Sequence, residues 1–144
     1  MSNFKCLSII IPCYNEEKTI HRILDKVNAV QLQDGIQKEI ILVNDCSKDG
    51  TKEALEKYIA EHPQINYRLL HHEVNKGKGA ALHTGIQHAT GDYLIIQDAD
   101  LEYDPRDYPA LLQPIIEHRT QVVYGSRFLG GPRKAMFFSH MMGN

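Results

Sequence analysis

Two carboxylates one residue apart close the apolar run Tyr93-Leu94-Ile95-Ile96-Gln97-Asp98-Ala99-Asp100, and this is the spacing in the chain that most directly suggests chemistry. In extended backbone the side chains of Asp98 and Asp100 fall on one side and small Ala99 on the other. Like charges this close raise each other's proton affinity unless a cation neutralises them. A hard divalent ion held by one or two carboxylates and by substrate phosphates is the usual arrangement around magnesium or manganese. The pair therefore predicts a metal-bound, phosphorylated substrate, with Asp100 and Asp98 as ligands. The competing reading of Asp-x-Asp alone is a polar strand exit in which each aspartate caps or solvates a turn.

Which elements hold such a pair follows from the rest of the pattern. Short apolar runs, Leu7 to Ile11, Glu39 to Val43, Tyr67 to Leu70, Tyr93 to Gln97 and Gln121 to Tyr124, alternate with stretches of helical period. Helices are expected from about Glu16, from about Thr51, over Lys78 to Thr90 and around Pro109 to His118. Ile20, Ile23, Leu24 and Val27 make one buried stripe of the first. Asn15 and Asp49 suit helix N-caps, and Gly91 suits a position just past a helix end. Strands this apolar are covered on both faces, and strand-helix-strand units cross over right-handed. The expected fold is α/β, a Rossmann-like, mostly parallel doubly wound sheet with helices on both faces, whose ligands bind beyond the carboxyl ends of the strands.

That rule selects the residues after each strand. They are Pro12-Cys13-Tyr14-Asn15-Glu16-Glu17, then Asn44-Asp45-Cys46-Ser47-Lys48-Asp49-Gly50-Thr51, then Asn75-Lys76-Gly77-Lys78-Gly79, then Asp98-Ala99-Asp100. Tyr14 offers an aromatic face, Asp45 can accept hydrogen bonds from a base, and Glu16 from a base or a ribose. Lys78 opens a helix between glycines, so an ammonium, backbone N–H groups and a helix N-terminus face a diphosphate there. Taken singly, each has a purely structural explanation in turn or edge chemistry. Jointly they read as a nucleotide site.

Composition bounds the rest. A chain of 144 residues is one domain, large enough to bury roughly two thirds of its unfolded surface. Sixteen Lys and Arg against eighteen Asp and Glu, with no basic run, argue against nucleic acid as a partner. No apolar stretch approaches the roughly 18 residues that span a bilayer, and the N-terminus lacks a signal-peptide pattern, so the chain reads as cytoplasmic. The three cysteines, Cys6, Cys13 and Cys46, match neither a disulfide framework nor a metal pattern and are expected as thiols. The eight histidines have no ligand spacing and are expected at the surface or sheet edge.

With these residues in hand, the sequence resembles a family 2 glycosyltransferase of the GT-A fold, in the branch of dolichyl-phosphate or polyprenyl-phosphate mannosyl- and glucosyltransferases. The likeness is carried by Ile9 to Glu16, Val43 to Thr51, Asn75 to Ala80, Asp98 to Pro105 and Gly125 to Phe128, which together cover nearly the whole chain. It implies that Pro12, Tyr14, Glu16, Val43 and Asp45 contact the nucleoside of a nucleoside diphosphate sugar of the GDP-mannose or UDP-glucose type. It also implies that Asp98 and Ala99 meet the ribose and diphosphate, that Asp100 binds the metal and that Arg127 meets phosphate. Many relatives carry Gln at the position of Glu102 as a second metal ligand, and a carboxylate there can also bind a hard cation.

Sugar transfer needs stabilisation of the departing diphosphate, supplied by a divalent cation, magnesium or manganese, and by Lys78. No carboxylate base for an acceptor hydroxyl is evident after Glu117, which fits an acceptor that is already anionic, such as a lipid phosphate positioned by Arg127. Residues 1–129 are expected to form the nucleotide-sugar-binding core. Residues 130–144, with Met136-Phe137-Phe138 and Met141-Met142, are expected to begin an amphipathic helix, the start of a membrane-proximal acceptor segment of a longer enzyme at the cytoplasmic face of a membrane. The chain is accordingly expected to bind donor without efficient transfer. The alternatives are a non-catalytic nucleotide-sugar-binding module and, more remotely, a haloacid-dehalogenase-type phosphatase, which places its Asp-x-Asp after the first strand rather than the fourth.

Overall fold

The computed structural model describes residues 4–100, 104–117, 122–126 and 135–140, the last two stretches as backbone. Among the described residues six strands are found: β1 (Cys6–Cys13), β2 (Gln37–Asn44), β3 (Tyr67–His71), β4 (Tyr93–Ile96), β5 (Val122–Ser126) and β6 (Ala135–His140). Between them lie α1 (Ile20–Ala29), α2 (Thr51–Glu61), α3 (Lys78–His88) and α4 (Tyr108–Ile116). The sheet order is β3-β2-β1-β4-β6-β5. The first four strands pair in parallel. The chain runs outward from β1 to β3 and then returns to β4 on the other side of β1, so the topological switch point lies between β1 and β4.

The period of two in the strands sorts their side chains onto two cores. Leu7, Ile9 and Ile11 of β1 and Ile40 and Leu42 of β2 face α1, α2 and α4, where the predicted stripe Ile20, Ile23, Leu24 and Val27 is fully buried. Ile10, Ile41, Val43 and Leu94 face the opposite side and pack under α3 with Ala81. The sheet is thus doubly wound, as its uninterrupted apolar strands require.

Two local expectations are corrected. Residues 135–140 form a strand rather than a helix, antiparallel to both β4 and β5. The short apolar run Ala135 to Phe138 carries no period that separates strand from helix, and the open edge of β4 offers it backbone partners. Gly91 does not close α3, which ends at an extended Ala89. It lies against β1, where a Cβ would come within 2.6 Å of Ser8 Oγ, so the position demands glycine for close approach.

Among the described residues no helix is long and apolar enough to cross a membrane. Cys6, Cys13 and Cys46 are free thiols, as expected. Burial drives the Cys13 thiol far above its ordinary pKa, which makes it a poor nucleophile despite its place at the site.

Candidate functional site

The exits of β1 and β2 are stitched together before any ligand is considered. Asn15 and Cys46 both adopt left-handed backbone, φ 53° and 56°, at the points where their strands turn away. Asn15 does not cap α1; its side chain accepts from Lys48 N at 2.8 Å while its own N–H donates to Ser47 Oγ at 3.0 Å. Glu16 N donates to Thr51 Oγ1 at 2.8 Å. Asp49 sits one residue before the cap of α2, where its carboxylate accepts from Thr51 N at 2.9 Å and from Glu17 N. Two loops distant in sequence therefore form one rigid rim, which is what a pre-formed binding surface needs.

The exit of β3 is fixed to that rim by Asp45. Its carboxylate is almost wholly buried and accepts from Lys76 N at 2.9 Å, Gly77 N at 2.8 Å and His72 Nδ1 at 2.8 Å. Burial alone would raise the Asp45 pKa; the bonds from Lys76, His72 and Gly77 outweigh it and hold the group below its ordinary value. Asn75 adds a bond from its side chain to the Asp45 carbonyl at 3.2 Å. Gly77 then turns the chain into α3 with φ 94°, a conformation natural to glycine, and Lys78 follows as the first helical residue.

Across the cleft, β4 ends at Ile96 and the acidic pair lies just beyond it. Asp98, Ala99 and Asp100 all border the cleft, and Ala99 is at the same time buried against the core. Buried Gln97 anchors the turn: its N–H donates to Ile10 O at 2.9 Å, and its side-chain oxygen accepts from the buried Tyr108 hydroxyl at 2.5 Å. Asp98 forms an ion pair with Lys78. The loop after β3 and the loop after β4 therefore meet at the switch point.

The four exits enclose a cleft of about 360 Å³. Pro12, Tyr14, Glu16, Asp45, Lys78, Asp98, Ala99 and Asp100, all singled out from the sequence, line it together with Cys13, Asn75, Gly77 and Ala81. Tyr14 is 40 % exposed, an uncommon state for a large ring and one that leaves its face open to stacking. Val43 is not brought to the cleft: its side chain is wholly buried beneath α3, because its strand parity points it to that core. Glu102 and Arg127 lie outside the described residues. His72 was missed by sequence reasoning. It was expected at a surface or edge, whereas its side chain is only 7 % exposed; the signal was its position directly after β3, at the same edge that selected the others.

Among the described residues no cluster of three His, Cys, Asp or Glu forms a metal cage. Asp98 and Asp100, both aimed into one cleft, are a donor set suited instead to a hard cation that takes few protein oxygens and completes its shell with phosphate and water.

Comparison with known proteins decides the family. The description "Glycosyl transferase family 2" matches residues 8–138. The chain belongs to glycosyl transferase family 2. It is 38 % identical over 130 residues to a dolichyl-phosphate beta-glucosyltransferase, ALG5A, of Trichomonas vaginalis, covering 84 % of this chain and 40 % of the relative. To the dolichol-phosphate mannosyltransferase of Pyrococcus furiosus it is 31 % identical over 126 residues, covering 87 % of this chain and 34 % of that one. Among solved structures it is similar to the mannosyltransferase PcManGT from Pyrobaculum calidifontis in complex with GDP-Man and Mn2+, with a TM-score of 0.63 and 32 % identity over 74 % of this chain and 30 % of that one. S. aureus TarS 1-349 in complex with UDP gives a TM-score of 0.69 at 27 % identity, over 81 % and 33 % of the two chains. The fold is the expected GT-A fold. The family 2 chain described here spans between a third and two fifths of the length of these curated relatives.

Proposed function

We propose that this chain holds the donor site of a metal-dependent, inverting glycosyltransferase that moves a hexose from a nucleoside diphosphate sugar to a polyprenyl phosphate. The observation that carries the reading is the meeting of Lys78 with Asp98 and Asp100 in one cleft at the switch point between β1 and β4. A diphosphate there faces an ammonium and the N-terminus of α3 on one wall and two carboxylates on the other. Asp100 and Asp98 would hold a divalent cation, magnesium or manganese, whose charge offsets that of the departing diphosphate. Tyr14 stacks on the base, and Glu16 and the Asp45 rim orient the nucleoside. The lipid phosphate acceptor, and with it a site at the cytoplasmic face of a membrane, is supported by the dolichyl-phosphate relatives and by the fact that an anionic acceptor needs no base. Arg127 is proposed to position that phosphate and Glu102 to join the metal.

Calorimetry of the 144-residue chain with GDP and with UDP, each with and without manganese, tests the reading. Manganese-dependent binding of one nucleotide, lost in Asp100→Asn without loss of fold, is the expected result. Binding of neither nucleotide by folded protein overturns it.

A further inference from the structure

We propose that His72 is the positioning residue of the donor site, holding Asp45 so that Asp45 in turn fixes the loop that delivers Lys78. The imidazole bridges two elements: Nδ1 lies 2.8 Å from Asp45 Oδ1 and Nε2 lies 2.8 Å from Thr84 Oγ1 on α3. An ionised carboxylate only accepts, so Nδ1 carries the proton; in the neutral ring Nε2 then accepts the Thr84 hydroxyl hydrogen. The ring is held at both nitrogens, and with its side chain only 7 % exposed it has little room to rotate.

What it holds is the turn before α3. Asp45 Oδ1 is shared between His72 and Lys76 N, and Oδ2 takes Gly77 N. Without the ring, the carboxylate loses one of its fixed donors and can swing toward solvent, and the amides of Lys76 and Gly77 lose their shared acceptor. Gly77 has no side chain to hold the turn, and a Cβ built there meets nothing within 4 Å, so packing does not replace the bonds. Lys78, whose side chain is 59 % exposed, is likewise not held by burial. The aim of the ammonium at the diphosphate therefore depends on the path His72, Asp45, Lys76 and Gly77. Thr84 closes the circuit, because it lies on the helix that Lys78 begins.

This inference rests on the proposed donor site for its functional consequence but not for its geometry, and the experiment separates the two. His72→Asn places an amide N–H near the position of Nδ1 and keeps the bond to Asp45; His72→Gln reaches toward Thr84 and gives up Asp45. Amide hydrogen exchange of Lys76 and Gly77 is read in the ligand-free chain, and GDP and UDP affinity is read with manganese. In His72→Gln, exchange at both amides rises and affinity falls by about tenfold or more, the loss expected for one buried charge-assisted bond. In His72→Asn both readouts lie between those of the parent and those of His72→Gln, because the donor to Asp45 is restored while the bond to Thr84 is not. Thr84→Val, which removes the second anchor without changing volume, moves both readouts in the direction of His72→Gln and guards against a variant that does not fold. Unchanged exchange in both His72→Gln and Thr84→Val, or equal loosening in His72→Asn and His72→Gln, overturns the inference. Failure of the parent to bind either nucleotide overturns the proposed function while exchange still decides the role of His72.

Discussion

At the scale of single residues, Lys78 separates function from stability most cleanly. Its ion pair with Asp98 joins a side chain 59 % exposed to one 21 % exposed. A pair so open to water contributes at most about 1 kcal/mol, because solvent screens the attraction and both side chains lose freedom in making it. Lys78→Met should therefore leave the melting temperature within a few degrees of the parent, while GDP or UDP affinity falls by about tenfold or more as the ammonium is lost from the diphosphate wall. Thermal melting and calorimetry on the same preparation check it; a large drop in melting temperature with affinity intact would give Lys78 a structural role instead. Lys78 and the Asp-x-Asp pair were legible in the sequence because each follows an apolar strand, and a strand's end is where side chains leave the core. His72 follows a strand in the same way. Histidine, however, is common both at edges and in buried networks, and only the contact of the ring with Thr84 on α3 distinguishes the two.

At the scale of elements, the site depends on how closely α3 lies on the sheet. Gly85 faces β1 from the middle of the helix, and a Cβ there would stand 2.5 Å from Ile10 Cγ2 and 3.4 Å from Val43 Cγ2. Both side chains are wholly buried and have nowhere to retreat. Gly85→Ala should gain about 1 kcal/mol of helix propensity and lose more than that to overpacking. The net effect expected is a loss of about 1–2 kcal/mol in urea unfolding, with nucleotide affinity falling as α3 lifts. An alanine variant as stable as the parent would show that the helix can shift without cost. In the sequence a mid-helix glycine reads only as a weak point, so this contact was invisible, whereas the elements around it were not. The first four strands declared themselves as short apolar runs, and the stripe of α1 through its period of 3.6 residues. Strand β6 did not, because its partner edge is supplied by β4, more than thirty residues earlier in the chain.

At the scale of the whole molecule, folding and site share their titration. Glu39 is buried near the amino end of β2, where it accepts from Ser8 Oγ, Thr90 N and Thr90 Oγ1 at 2.5–2.9 Å. Desolvation works against its ionised form, but the bonds from Ser8 and Thr90 win and lower its pKa. Asp45 and Asp49 are lowered in the same way at the carboxyl edge. Asp104 is brought from 3.8 to about 2, chiefly by its side-chain bond from Arg106. A carboxyl whose pKa is lower folded than unfolded binds fewer protons in the native state, so its contribution is complete above the ordinary carboxylate range and disappears as pH falls through the folded value. The melting temperature should therefore hold steady from neutral pH to about 5 and drop steeply below about 4. Global repulsion offers a competing cause, since at low pH sixteen lysines and arginines and eight histidines remain charged against few carboxylates. Salt separates the two. At about 1 M ionic strength the screening length is about 3 Å, which removes long-range repulsion and leaves buried hydrogen-bonded carboxylates almost untouched. If linkage dominates, the acid drop persists in high salt, and Glu39→Gln, whose amide replaces one of the two accepting oxygens by a donor, is less stable at neutral pH and shows a shallower fall below pH about 4. Circular dichroism melts from pH 2 to 7 in low and high salt make the comparison; a drop abolished by salt, or a parallel curve for Glu39→Gln, would assign acid unfolding to net charge and leave the buried carboxylates as passive members of the fold.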